Sequence, residues 1–200
     1  AFLAVVCGVT GTITCADATY IPGWFGTWDG TKHDEAHSVV QTSDGGYALA
    51  GYTCFYGAGG SDFWLVKTDP AGNMQWSQTY GGAKDEEAYC VIEIVSKKQK
   101  TPDAGYVLAG GTGSFGAGGY DFYLVKTDPA GNMQWSQTYG GAKDEEAYCV
   151  IEIVSKKQKT PDAGYVLAGG TGSFGAGGYD FYLVKTDPAG NMQWSQTYGG

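Results

Sequence analysis

Residues 83 to 141 and 142 to 200 are the same 59-residue segment written twice in tandem. Such a repeat restricts the chain to architectures in which one supersecondary unit stacks on copies of itself, because a unit that cannot bury its apolar face alone must bury it on its neighbour. Identity without one substitution marks a very recent duplication or an engineered gene. Residues 31 to 82 are a diverged third copy, in which Asp34-Glu35-Ala36 answers to Glu86-Glu87-Ala88, Gly46-Tyr47 to Gly105-Tyr106, and Asp62-Phe63 to Asp121-Phe122. The main difference is a seven-residue lengthening of the later copies between Ala88 and Tyr106. Ahead of the copies, Trp24-Phe25-Gly26-Thr27-Trp28-Asp29-Gly30 aligns with Trp76-Ser77-Gln78-Thr79-Tyr80-Gly81-Gly82, so the chain opens on the last strand of a further unit.

Each unit reads as four strands, here numbered for the second copy: 88 to 95 (AYCVIEIV), 105 to 112 (GYVLAGGT), 121 to 127 (DFYLVKT) and 132 to 138 (NMQWSQT). Glycine supplies 34 of the 200 residues and tyrosine 15, a composition suited to short strands and tight turns. The third strand alternates Phe122, Leu124 and Lys126 against Tyr123, Val125 and Thr127, two partly apolar faces suited to a sheet covered on both sides. Asp128-Pro129-Ala130-Gly131-Asn132 is a hairpin signal, with Pro setting φ early and Gly supplying positive φ late. The repeating tryptophans Trp76, Trp135 and Trp194 read as packing between sheets.

A four-stranded meander of this length in tandem has the size of a propeller blade. The motifs W-x-x-T-[YW]-x-G, D-G-G-Y-x-L-A-G, F-G-A-G-G, D-F-[WY]-L-V-K-T-D and G-N-x-Q-W resemble the tandem β-propeller repeats of secreted and cell-surface prokaryotic proteins. The resemblance covers about 24 to 200. It implies an all-β, propeller-like array of four-stranded antiparallel blades: a leading strand in 19 to 30, then blades at 31 to 82, 83 to 141 and 142 to 200. Three units plus one N-terminal strand make an open arc unless more chain or another subunit completes it.

Ala1 to Val9 is apolar and is followed by small residues ending Ala16-Asp17-Ala18, which reads as the remnant of a signal peptide over 1 to 18 and a secreted or cell-surface location. An apolar first strand is the alternative. Past residue 18 the cysteines are Cys54, Cys90 and Cys149, read as small buried hydrophobes. A net charge of −9 argues against nucleic acid as a partner. No apolar run reaches the length of a membrane span.

In an up-and-down blade, the connections from fourth to first strand and from second to third emerge at one end. That end carries the candidate ligand-binding residues: Asp34, Glu35 and Tyr56 in the first unit; Asp85, Glu86, Glu87, Phe115 and Tyr120 in the second; Asp144, Glu145, Glu146, Phe174 and Tyr179 in the third. Carboxylates beside aromatics suit a glycan or a hard cation, and the same charges suit plain solvated loops. The opposite end carries the lysine-rich stretch 96 to 103. His33 and His37 read as surface or packing histidines rather than zinc ligands. Glu87 and Glu93 could form a carboxylate pair for glycoside hydrolysis, but every copy would repeat nearly the same pair. No nucleophile elbow, HExxH, P-loop or Cys/His ligand set is present, so no metal site, cofactor or catalytic residue is assigned.

The leading expectation is a non-catalytic extracellular scaffold or binding module, adhesive or glycan-binding, with an extracellular protein or glycan as partner. The alternative is self-assembly, with Trp24, Thr27 and Trp28 as a strand-exchange segment completing another copy's sheet to give rings or filaments. A second alternative is the accessory propeller of a carbohydrate-active enzyme.

Overall fold

The computed structural model describes residues 33–95, 104–154 and 163–200. The leading segment with Trp24, Thr27 and Trp28, the expected signal-peptide remnant and the lysine-rich stretches lie outside these residues.

The described chain is all-β. Strands β1 (Asp34–Gln41), β2 (Tyr47–Thr53), β3 (Asp62–Thr68) and β4 (Met74–Tyr80) form the first sheet. The second sheet holds β5 (Glu86–Ile94), β6 (Gly105–Thr112), β7 (Asp121–Thr127) and β8 (Met133–Tyr139). The third holds β9 (Glu145–Ile153), β10 (Gly164–Thr171), β11 (Asp180–Thr186) and β12 (Met192–Tyr198). Each sheet is an antiparallel meander in chain order and none closes on itself, so the described residues form an open array of three propeller-like blades. The second and third strands of the later units fall where the alternation places them. The first strand begins two residues earlier, at Glu86, and the fourth runs one residue later, to Tyr139.

The alternation on the third strand decides how the blades stack. Phe122 and Leu124 of β7 are buried in one cluster with Val150, Tyr165, Leu167 and Tyr182 of the third sheet. Tyr123 and Val125, on the other face of the same strand, are buried with Ala48, Ala50, Phe63 and Leu65 of the first. The middle sheet is therefore apolar on both faces because both faces are core. The first strands converge: the Val91 amide donates to Ser38 Oγ at 3.2 Å, and the Val150 amide donates to Cys90 Sγ at 3.4 Å. Cys90 is a buried packing residue, and Cys54 and Cys149 are partly buried.

Two local devices fix the outer part of each junction. The hairpin after β7 closes with the Asp128 amide donating to the Asn132 carbonyl at 2.9 Å, while Asp128 Oδ1 accepts from the Ala130 and Asn132 amides. Gly131 sits at φ 82° at the end of that turn, the left-handed region that a side chain resists. Trp76 of the preceding blade lies against this glycine, and the Tyr80 hydroxyl donates to its carbonyl at 2.6 Å. Trp135, Tyr139 and Gly190 repeat the arrangement one blade later.

Lysine at the inner end of the third strand is buried in all three blades. Lys126 Nζ donates to the Thr127 carbonyl at 2.6 Å and to Gln134 Oε1 at 3.1 Å, and Lys67 reaches Asp44 Oδ2 at 2.8 Å. Burial of a charge is tolerated here because its donors are occupied.

Candidate functional site

The loops at one end of the array interlock across blades. The connection 81–85, between β4 and β5, lies between the loop 54–61 of its own blade and the loop 113–120 of the next. The Gly60 amide donates to the Lys84 carbonyl at 3.1 Å, Ser61 N to Asp85 Oδ1 at 3.0 Å, and Gly113 N to the Asp85 carbonyl at 2.8 Å. The next junction repeats this, with Tyr120 N donating to Asp144 Oδ1 at 3.0 Å and Gly172 N to the Asp144 carbonyl at 2.8 Å. Glycine-rich loops permit it, since a Cβ on Gly119 would strike Asp144.

Beneath this rim sits a buried acid pair at each junction. Glu86 is fully buried; its Oε1 accepts from Thr112 Oγ1 at 2.8 Å and from the Ser114 amide at 3.1 Å, and its Oε2 from the Gly82 amide at 2.6 Å. Glu145 makes the equivalent bonds to Thr171, Ser173 and Gly141. Glu86 and Glu145, expected among the ligand-facing acids, lie buried and anchor two loops, whose N–H groups point inward and need an acceptor there. Asp62 and Asp121 meet them from the preceding blade. A Cβ on Gly140 would collide with both Asp121 Oδ1 and Glu145 Oε2, and one on Gly81 with Asp62 Oδ1 and Glu86 Oε2. Burial raises the Asp62 and Asp121 carboxyls above 3.8, with the charge of the facing glutamate adding to it. Asp121 Oδ1 is buried with no hydrogen-bond partner among the described residues, and so are both carboxylate oxygens of Asp34, which holds the Glu86 position in the first blade.

Three of the other candidates line an open groove. Asp85, Tyr120 and Asp144 come together, with Lys84 and several glycines, around a cavity of about 500 Å³ between consecutive blades. Asp85 and Asp144 are exposed, and each spends Oδ1 on a backbone amide of the neighbouring loop. Burial raises the Tyr120 hydroxyl above its ordinary value, with the Asp85 charge next. Burial and the Glu146 charge push Tyr179 up to about 12. Phe115 and Phe174 are partly exposed at the same rim, their rings 5.6 and 5.4 Å from Tyr123 and Tyr182. Tyr56 occurs in the first loop, edge-on to Phe55 at 4.7 Å.

Glu35, Glu87 and Glu146 belong to a second feature, on the converging first strands. The pairing of each first strand skips one residue, His37, Tyr89 or Tyr148. A bulge of this kind re-aims the side chain it carries. The three rings form a ladder: His37 stacks on Tyr89 at 5.0 Å, and Tyr89 lies 5.4 Å from Tyr148. The Tyr89 hydroxyl donates to Glu87 Oε2 and that of Tyr148 to Glu146 Oε2, each at 2.8 Å. Both tyrosines are pushed well above the ordinary range, by burial first and the glutamate bond second. Sequence reading missed Tyr89 and Tyr148, because the residue that each strand skips is set by its pairing with the next strand.

His37 is a packing residue, its Nδ1 3.1 Å from the Ala88 carbonyl. Among the described residues no group of three metal-binding side chains forms. Glu87 and Glu93 stand near opposite ends of β5, paired with Gly111 and Tyr106, and Glu93 accepts from Ser43 N and Oγ at 2.8 and 2.9 Å. Among the described residues no helix is long and apolar enough to cross a membrane. No protein-family model matches the chain, and no curated protein matches it.

Proposed function

We propose that the chain is a non-catalytic repeat scaffold that binds polar ligands of the extracellular space, glycans foremost, through the loop rim of consecutive blades. The observation that carries this reading is the groove lined by Asp85, Tyr120 and Asp144. It is open, walled largely by glycine backbone, and offers an aromatic ring between two exposed carboxylates. Sugars use that combination, with an apolar ring face to stack on and hydroxyls to donate to acceptors. Asp85 and Tyr120 recur as Asp144 and Tyr179 in the last unit, whereas the first unit has Ser61 at the tyrosine position, so two weak sites add by avidity on a multivalent target.

The experiment is a glycan array with the full chain and with a Tyr120→Ala, Tyr179→Ala double variant. Loss of an aromatic contact at each site should weaken binding about tenfold or more. Absence of any bound glycan, or binding indifferent to both tyrosines, contradicts the proposal.

A further inference from the structure

The two in-chain junctions are built alike, and each uses the same three contacts. A phenylalanine knob enters a socket on the next blade: Phe63 lies against Gly110 and 5.1 Å from Tyr123, and Phe122 against Gly169 and 5.2 Å from Tyr182. A tryptophan covers the turn glycine of the next hairpin, Trp76 on Gly131 and Trp135 on Gly190. A tyrosine hydroxyl then donates to that glycine's carbonyl.

Both halves of a third such junction stand open at opposite ends of the array. On the last sheet, Phe181 is 73% exposed where Phe122 is 0%, and Tyr198 is 56% exposed where Tyr139 is 6%. Trp194 is exposed beside them. On the first sheet, no Phe knob of the described residues enters the corresponding positions: Val39 is 57% exposed where Val91 is 4%. Gly51 and Trp64, in register with Gly110 and Tyr123, line a cavity of about 230 Å³ with Ala36, Leu49, Ala50 and Val66. Gly72, at φ 82° like Gly131, is the matching turn glycine.

We propose that a second copy of this chain occupies each face: the Phe181 face of one molecule docks on the Gly51–Trp64 socket of the next, reproducing the in-chain junction between molecules. The occupant is argued from continuity with an interface that the molecule already forms twice. The last sheet has the same sequence as the middle one, so the knob that fits the third sheet is the knob left open. The socket differs mainly in Trp64 for Tyr123, another flat aromatic. The contact is head-to-tail and heterologous, so it propagates to a ring when the rotation closes and to a filament when it does not.

The test is light scattering on the full chain and on two variants, Phe181→Asp, which destroys the knob, and Leu49→Glu, which destroys the socket. The wild type should exceed the monomer mass as concentration rises. Each variant alone should stay monomeric, with association weakened about thirtyfold or more, as for a buried aromatic anchor. An equimolar mixture of the two should give a species of twice the monomer mass and nothing larger, because one intact knob meets one intact socket and both remaining ends are dead. A wild type that stays monomeric at every concentration overturns the proposal. So does association that survives in either variant, which would assign assembly to another surface such as strand exchange through 24–28. Phe181→Ser and Val39→Ser, at exposed positions, replace the charged variants should either lose its β-sheet circular dichroism.

Discussion

The least expected residues in the molecule are the buried acids, because a carboxylate facing a carboxylate away from water opposes folding at neutral pH. Asp62 and Asp121 have carboxyls raised by burial and by Glu86 and Glu145. A raised folded value means that the folded state holds its proton more tightly than the unfolded chain. The resulting stabilisation is complete below 3.8 and is lost as pH rises through the folded values. Asp69, Asp128 and Asp187 have the opposite sign, lowered chiefly by bonds from the Asn four residues on, so their contribution is present above 3.8 and lost as pH falls. The thermal midpoint should therefore fall as pH rises above 3.8 through the folded values of Asp62 and Asp121. In an Asp62→Asn, Asp121→Asn variant that fall should be much reduced. Each amide can still accept from the loop N–H groups and can donate to the facing glutamate, a gain of about 1 kcal/mol per site at neutral pH. Equal pH slopes for the two proteins, followed by circular dichroism, would show that the pairs do not govern the slope.

At the scale of strands and turns, most of the fold was legible because its determinants are local. The alternation of 121 to 127, the Asp-Pro-x-Gly-Asn turn and the exact tandem repeat each mark an element by its own chemistry. Asp85, Glu86 and Glu87 read alike as loop acids, whereas Glu86 and Glu87 open β5, because three adjacent acids look alike until a partner is placed on each. Glu86 found Thr112 and Ser114, 26 and 28 residues away, while Asp85 stayed at the rim. The Tyr89 bulge was equally hidden, since it is defined by pairing with β6. Glycines in β6 have a reason of the same kind. A Cβ on Gly110 would meet the Glu87 carbonyl and the tip of Phe63. Gly110→Ala should cost about 2 kcal/mol by overpacking, read as a lowered denaturant midpoint; an unchanged midpoint would mean that the bulge and the Phe knob do not press on this site.

For the whole molecule, the consequence is that identical sequence has unequal surroundings. The middle blade is covered on both faces, and the last blade is covered on one. On the proposed readings repetition serves two ends: the loop rim binds ligand, and the open faces supply a knob and a socket that fit one another. The most direct measurement compares Phe122→Ala with Phe181→Ala by denaturant unfolding, at dilution where the chain is monomeric. The two positions share sequence neighbours through the whole repeat, so only stacking distinguishes them. Phe122→Ala should lose about 4 kcal/mol by emptying a core site, and Phe181→Ala less than about 1 kcal/mol, as for an exposed position. Equal losses at the two positions would contradict the open stack of three blades from which the rest follows.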